Sequence, residues 1–241
     1  MFGDVHNEAD KLMDVLDQIE PLITPDDHIV FCGDLVDRGP QAALTVEVLV
    51  DLARKYPNQV FFVRGNHDWM LQTYLMTGGT GWMTYLEVTL KNFQEVWGLS
   101  DYLPATISKA LQDKGFREVT SRMISYYETE EILVTHAPLD YTSCMMNGID
   151  YYQEQWDERA NDPNFTYFLD KLDYEILWQF TDENTVIPDL KKFRVCGHQP
   201  AHHKSPRIFK DRAFIDTGCG KGKRPLTCLA YPGKQYWQSK S

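Results

Sequence analysis

The sequence predicts an α/β protein whose core is a layered β-sandwich flanked by helices. In the first third of the chain, segments with a helical period alternate with short apolar runs typical of buried strands. This β-α-β-α-β order implies a parallel sheet with right-handed crossovers. Further apolar runs return after residue 190, so both ends of the chain are expected to contribute strands.

Each element follows from a local pattern. Apolar residues at helical spacing predict helices at 7–20 and 41–55 and through most of 69–125. Short apolar runs predict strands at 28–32, 59–64, 132–135, 193–196, 213–216 and 226–231. The Tyr-, Asp- and Trp-rich stretch 140–190 is expected to form helical and loop segments that cap a cleft. The whole chain, 1–241, is expected to be a single domain.

Composition limits the function. The chain has 24 Lys+Arg against 35 Asp+Glu, and the net charge of −11 argues against a broad nucleic-acid-binding surface. No apolar run approaches the roughly 18 residues that span a bilayer. An odd count of 5 Cys without a CxxC pair fits a reduced protein. We therefore expect a cytoplasmic protein with no membrane partner, and the charge disfavours a nucleic-acid partner without excluding one locally basic cleft.

Polar segments follow the predicted strands where each strand ends. They are GDVH at 3–6, GDLVDRGP at 33–40, GNHD at 65–68, HAP at 136–138 and GHQP at 197–200. Ligands bind beyond the carboxyl ends of strands in open α/β sheets. Carboxylate, amide and imidazole groups together suit Mn, Fe or Zn better than Ca or Mg. Each motif alone is explained as well by a turn or a solvated loop, and only their conjunction favours a metal site. The glycine before each ligand is expected to let the backbone turn sharply.

In this order, the five blocks resemble those of the calcineurin-like metallophosphoesterases. The unbroken Asp-Arg-Gly at 37–39 is similar to the phosphoprotein phosphatase branch, which includes the Ser/Thr protein phosphatases. The Asp-Thr-Gly at 216–218 resembles the bacterial and phage-type members. The resemblance implies the metallophosphatase fold and a metal-dependent hydrolase of phosphoric esters.

The resemblance also implies a dinuclear metal centre, taken as two Mn²⁺ ions with Fe or Zn as alternatives. Its six expected ligands come from all five blocks: Asp4, His6, Asp34, Asn66, His136 and His198. Asp34 would bridge the two ions. His67 would be the general acid, oriented by Asp37, and Arg38 with Asn66 would bind the phosphoryl oxygens.

Elementary chemistry supports this interpretation. Two ions about 3.5–4 Å apart neutralise a phosphate and lower the pKa of a bridging water, and the resulting hydroxide attacks phosphorus in line. The serine alkoxide released from a phosphoserine is a poor leaving group, so a proton donor is needed. A histidine such as His67 is suited to this role near neutral pH.

The substrate is less closely specified. The main expectation is a Ser/Thr phosphoprotein phosphatase acting on phosphorylated protein or small phosphoesters. The alternative is a dinucleoside polyphosphate (symmetrical tetraphosphate) hydrolase, which GNHD and Gln179 favour and Asp37 disfavours. A polynucleotide or cyclic-nucleotide phosphodiesterase is disfavoured by the acidic charge. A phosphoprotein-binding scaffold on the same fold is the non-enzyme alternative.

The chain departs from the family pattern in four places. One is Asp68, where many relatives have Glu. Asn7 stands where many relatives have Gly, and Gln179 where a second phosphate-binding Arg often follows a Leu-Trp pair. Other arginines could substitute, but a solvated surface position is favoured for each: Arg207, Arg212 and Arg224. Only two residues precede GDVH, whereas strands usually run about five residues. Either the first strand is short or the true start lies upstream.

Overall fold

The computed structural model describes residues 1–78, 81, 83–139, 177–181, 191–201 and 203–240. Its helices are α1 (Ala9–Ile19), α2 (Ala42–Lys55), α3 (Asn66–Thr77), α4 (Met83–Trp97), α5 (Pro104–Asp113) and α6 (Arg117–Thr120). Its strands are β1 (Ile29–Phe31), β2 (Val60–Val63), β3 (Met123–Ile124), β4 (Tyr126–Glu128), β5 (Ile132–Thr135), β6 (Phe193–Cys196), β7 (Arg207–Ile208), β8 (Arg212–Phe214), β9 (Thr227–Leu229) and β10 (Tyr236–Gln238).

The strands form two sheets. In the first, β1, β2 and β3 are parallel, and the antiparallel pair β9–β10 joins them through Phe2, which bridges to Phe31 and to Cys228. The second sheet has the order β4-β5-β6-β8-β7, with parallel pairing at its centre and antiparallel pairing at both edges. The expected layered α/β sandwich, built from both ends of the chain, is therefore confirmed.

Side-chain alternation along the strands decides what each face covers. Phe31 and Phe62 face α1, α2 and α3, and the ring of Phe2 stacks on Phe31 with the centroids 4.7 Å apart. Val30 and Val63 point the other way and pack against the second sheet. Because consecutive side chains of a strand lie on opposite faces, one short apolar run buries both faces of the sheet. The carboxyl ends of β1, β2, β5 and β6 therefore lie at one edge of a tightly packed core.

The structure adds strands that the sequence patterns did not predict. Residues 123–124, within the stretch expected to be mostly helical, form β3, because Arg64 N–H donates to Ile124 O at 2.9 Å along the open edge of β2. Strands β4, β7 and β10 are also short edge strands. The first strand is reduced to the bridge at Phe2. Most of the expected cap at 140–190 lies outside the described residues. Among the described helices, none is long and apolar enough to cross a membrane.

Candidate functional site

All five polar segments meet where the strands end. Asp4 and His6 follow the bridge at Phe2, Asp34 follows β1, and the remaining ligand candidates follow β2, β5 and β6. The nine residues expected at the site are buried except for partly buried His198 and exposed Arg38: Asp4, His6, Asp34, Asp37, Arg38, Asn66, His67, His136 and His198. The structure thus brings together every residue that the sequence assigned to the site.

The backbone of the site is strained. In the described part of the chain, seven residues other than glycine have φ above zero, and six of them belong to this site: His6, Asn7, Asp34, Asp37, Arg38 and His198. Five of the six are Asp, Asn or His, the residue types that tolerate this region best. Residues held in such conformations cost of order 1–3 kcal/mol each and cluster at functional sites. Asn7 therefore keeps the left-handed conformation that a glycine would adopt at this position.

The Asp34 carboxylate lies at the centre of the site. Its Oδ2 is 3.4 Å from His6 Nε2, and its Oδ1 is 3.5 Å from His136 Nε2. The backbone N–H of His67 donates to Oδ1 at 2.9 Å. Burial alone would raise the pKa of Asp34, but the surrounding imidazoles reverse that shift and hold the pKa well below its usual range. The carboxylate is therefore an anion that two neighbouring ions could share.

Two of the histidines have their tautomer fixed by a backbone carbonyl. His6 Nδ1 lies 3.2 Å from Val36 O, and His136 Nδ1 lies 2.8 Å from Cys32 O. Each Nδ1–H donates to that oxygen, so each Nε2 presents a lone pair to Asp34. Burial lowers the pKa of both imidazoles, and it lowers the pKa of His198 to about 3. Neutral imidazoles with a free nitrogen are what a divalent ion requires.

Two overlapping groups have the geometry of a metal site, and both contain Asp34. One adds His6 and His67, the other adds His136 and His198, and the possible ligand atoms within each group lie within 4.8 Å of one another. Asp4 borders the first group, with its Oδ2 3.9 Å from His6 Nε2, and it accepts hydrogen bonds from the backbone N–H of His198.

The position of the Asn66 amide shows whether a cation fits the group formed by Asp34, His136 and His198. Its Oδ1 lies 2.9 Å from His136 Nε2, 3.3 Å from His198 Nδ1 and 3.2 Å from Asp34 Oδ1. With His136 in the tautomer above, the Asn66 oxygen faces the lone pairs of His136 Nε2 and of the Asp34 carboxylate. Rotating the amide would place N–H groups there and let the oxygen accept from Trp178 Nε1 at 3.2 Å. A divalent ion satisfies the same lone pairs without rotation, so the donor set fits a metal.

Crowded carboxylates give a second reason for a cation. Burial raises the pKa of Asp4, and the nearby carboxylates of Asp216 and Asp34 raise it further. Burial also raises the pKa of Asp216, to about 6, although its Oδ1 accepts from Gly218 N–H at 2.7 Å. Several anions taken out of water in so small a volume need positive charge among them.

A buried hydrogen-bond chain extends from His67 to Thr89 on the buried face of α4. His67 Nδ1 lies 2.6 Å from Asp37 Oδ2, and the Thr89 hydroxyl donates to Asp37 Oδ1 at 3.4 Å. Asn7 Nδ2 donates to the Thr89 oxygen at 2.8 Å, and within the described structure Asn7 Oδ1 has no partner. Sequence reasoning assigned no role to Thr89 or Asn7. The signals were a polar residue on the buried face of a helix and an Asn in place of Gly.

Arg38 and Asp68 have different tasks at the site. The exposed Arg38 lies at its mouth, with Nη1 2.8 Å from His6 Nε2 and Nη2 2.9 Å from His67 Nε2.

Asp68, to which the sequence assigned no role, is buried and accepts from the backbone N–H groups of Leu35 and Gly65, both at 2.9 Å. It thereby ties the loop after β1 to the start of α3. Burial raises the pKa of Asp68 to about 7.

The glycines that precede the ligands act mainly by leaving space. A Cβ on Gly65 would lie 2.2 Å from Asp34 Oδ1, and a Cβ on Gly197 would lie 2.1 Å from Asp4 Oδ1. Neither has a positive φ, whereas Gly33 does, at 96°. The sharp-turn explanation therefore holds for Gly33, and close approach of a carboxylate is the reason at the other two.

Within the described part of the chain, no second arginine takes the place beside the Leu-Trp pair. Gln179 stands there, and the ring of Phe180 packs on His198 with the centroids 4.8 Å apart. The three other arginine candidates are engaged elsewhere. Arg207 Nη2 donates to Gln199 O, and Arg224 Nη1 donates to Ala201 O. The expectation of a solvated position is wrong for Arg212, which is buried and ion-paired with Asp211.

Comparison with known proteins gives a family and two kinds of relative. A calcineurin-like phosphoesterase family profile matches residues 1–210. A bis(5'-nucleosyl)-tetraphosphatase, PrpE [asymmetrical], from Geobacillus sp. (strain WCH70) is 26% identical over 249 residues, covering 96% of this chain and 89% of that protein. The serine/threonine-protein phosphatase PP2A-like PPG1 of Candida albicans is 33% identical over 106 residues, which cover 42% of this chain and only 24% of that protein.

Solved structures show the same fold. A cold-active protein-tyrosine phosphatase from a psychrophilic Shewanella sp. superposes with a TM-score of 0.60 at 17% identity, covering 99% of this chain and 79% of that one. A protein serine/threonine phosphatase from Saccharomyces cerevisiae gives 0.56 at 16% identity, covering 100% and 78%. At such identities the likeness establishes the fold alone.

Proposed function

The chain belongs to the calcineurin-like phosphoesterases, and from this premise we propose that it hydrolyses dinucleoside polyphosphates asymmetrically with two divalent metal ions. As a member of the family, it is a metal-dependent phosphoesterase with His/Asp groups able to hold metal. The observation that carries the substrate is the similarity to an asymmetrical tetraphosphatase, which extends over nearly the whole of both proteins. The match to a Ser/Thr phosphatase covers less than half of this chain.

The charge at the mouth of the site supports this substrate. A phosphomonoester presents a terminal dianion, for which two guanidinium groups are a good match. An internal phosphoryl group of a polyphosphate carries about half that charge. Arg38 is the one arginine found at the mouth among the described residues, and Gln179 stands where a second arginine is often found in relatives. One arginine matches the internal phosphoryl group better.

The ligand candidates divide into two sets that share Asp34. Asp4, His6 and Asp34 would hold one ion, and the other set would be Asp34, Asn66, His136 and His198. Bound divalent ions would supply charge neutralisation of the phosphoryl group and an activated water. We favour Mn²⁺, with Fe or Zn as alternatives, because the donors are oxygen and imidazole nitrogen with no thiolate.

His67 fits the role of general acid better than that of a ligand. Its Nε2 is 4.0 Å from Asp34 Oδ2, farther than the 3.4 Å of His6, and its Nδ1 is held by Asp37. With Nδ1–H donated to that carboxylate, the second proton of a protonated His67 is on Nε2, which faces Arg38 and the site. Arg38 would bind the non-bridging oxygens beside it.

Hydrolysis of phosphoserine or phosphothreonine is the second candidate. The Asp37–His67 pair favours it, because a well-oriented acid matters most when the leaving group is an alkoxide. A phosphate leaving group is a weaker base and depends less on protonation. The same pair is therefore needed for one substrate class and less important for the other.

A substrate panel with the Mn²⁺-loaded protein separates these functions. Diadenosine tetraphosphate should give the nucleoside triphosphate and monophosphate in equal amounts, with kcat/KM above that for a phosphoserine peptide. Two diphosphates would contradict asymmetrical cleavage. Phosphate release from the peptide alone would establish the second candidate. Asp34→Asn is the matched inactive control, because it keeps the shape and removes the shared anion.

A further inference from the structure

A glycine-rich loop with two lysines packs directly against the site. It comprises residues 218–224, with the sequence GCGKGKR, and is called the lysine loop below. A Cβ on Gly220 would lie 2.6 Å from the Cβ of His6 and 3.4 Å from that of Arg38. Gly220 has φ of 80°, and glycine is needed there both for this conformation and for the close approach. The loop backbone therefore lies beside the arginine at the mouth.

The lysine loop is fixed at several points. Lys221 N–H donates to Gly218 O at 3.0 Å, and Arg224 Nη1 donates to Ala201 O at 2.7 Å. From α1, Lys11 Nζ donates to Gly222 O at 3.1 Å. The Cys219 thiol donates to Val5 O at 3.3 Å. Contacts from three parts of the chain hold the backbone, so the lysine side chains start from a defined position and less entropy is lost when they bind.

Lys221 and Lys223 are both exposed, and among the described residues neither has a carboxylate within ion-pair distance. Lys221 directly follows Gly220, whose Cβ position lies 3.4 Å from the Cβ of Arg38. The loop that carries these two uncommitted cations packs beside Arg38, in a chain whose net charge is −11. Ammonium groups on flexible stems bind phosphates as point charges without fixed geometry.

We infer that Lys221 and Lys223 bind the phosphoryl groups next to the one that is attacked. The inference rests on the proposed function, because only a polyphosphate presents such groups. Bound divalent ions and Arg38 would compensate the charge of the attacked phosphoryl group, and the charges of the neighbouring phosphoryl groups of a polyphosphate would still need partners. The lysine loop supplies the missing charge at the mouth. It makes the site selective for polyphosphates over simple monoesters.

The test compares Lys221→Ala/Lys223→Ala with the wild type on diadenosine tetraphosphate and on 4-nitrophenyl phosphate. The KM for the tetraphosphate should rise about tenfold, the size expected for losing two exposed ion pairs, while kcat/KM for the aryl phosphate changes less than twofold. Lys221→Arg/Lys223→Arg should stay near the wild type. The control pair, Lys55→Ala/Lys210→Ala, removes equal charge far from the site: Lys55 ends the 14-residue α2, and Lys210 precedes β8 at the strand end away from Asp216.

Inhibition of aryl phosphate hydrolysis by inorganic tripolyphosphate separates this inference from the proposed function. Its inhibition constant should rise about tenfold in Lys221→Ala/Lys223→Ala and not in the control pair. If the wild type leaves the tetraphosphate intact, the proposed function fails, whatever the inhibition shows. If the wild type cleaves it and neither KM nor the inhibition constant changes in the double variant, only the lysine loop inference fails. Equal losses on both substrates would show that the loop is merely structural.

Discussion

Thr89→Val tests the hydrogen-bond chain behind His67. The substitution keeps the branched shape but removes the hydroxyl that joins Asn7 Nδ2, at 2.8 Å, to Asp37 Oδ1, at 3.4 Å. Each buried polar group left without a partner costs about 1–3 kcal/mol. The 2.8 Å bond carries most of this, because a 3.4 Å contact is near the limit of hydrogen bonding. We expect the free energy of unfolding to fall by about 2 kcal/mol.

The catalytic consequence should depend on the leaving group. Asp37 loses the contact that fixes its second oxygen, so the imidazole it holds is less well oriented. General acid catalysis contributes about 10²- to 10⁴-fold, and partial misorientation should remove about tenfold of that with an alkyl phosphate. An aryl phosphate, whose leaving group needs little protonation, should lose less than threefold, so the ratio of the two rates is the measurement.

Two controls make the Thr89 experiment decisive. Thr89→Ser restores the hydroxyl and should restore the ratio of alkyl to aryl rates. The free energy of unfolding from urea titration separates stability from catalysis. If Thr89→Val destabilises the protein but lowers both rates equally, the reasoning is refuted and Thr89 serves packing alone.

Three further predictions concern the same site. His67→Asn should abolish most turnover of alkyl phosphates while sparing aryl phosphates, and equal losses would contradict its role as the acid. Gly197→Ala places a methyl group 2.1 Å from Asp4 Oδ1, so calorimetric Mn²⁺ affinity should fall at least tenfold, whereas Gly233→Ala, with open space around its Cβ, should match the wild type. Chelation should lower the melting temperature by several degrees, because the buried carboxylates around Asp34 lose their counter-charge; an unchanged temperature would argue against bound metal.

Sequence reasoning worked best where the determinants are local. β5 and β6 have the expected bounds because each is an apolar run that both sheet faces bury. Edge strands such as β3 were not predicted. A two-residue strand is too short to show an alternation of apolar and polar residues, and it forms only because the edge of β2 is free to pair with it. The motif residues could be assigned to one site because parallel strands end at one edge.

What the sequence did not reveal depends on packing or on substrate. Thr89 and Asp37 are 52 positions apart, and only the packing of α4 brings them together. The backbone contacts of Asp68 and the space needed at Gly197 are also invisible in a one-dimensional pattern. The motifs indicate phosphoester chemistry because together they supply the ligand candidates of one centre. We propose that substrate choice depends on the mouth of the site, where Gln179 and the lysine loop lie outside the five motifs.

Metal content tests the central claim most directly, which is that the ends of the strands build a centre for two ions sharing Asp34. Purified protein is loaded with Mn²⁺, desalted and measured by mass spectrometry of the metal, alongside Asp34→Asn. The account predicts two ions per folded chain in the wild type and at most one in the variant. A wild type that retains no stoichiometric metal, or a variant that retains both ions, would contradict it.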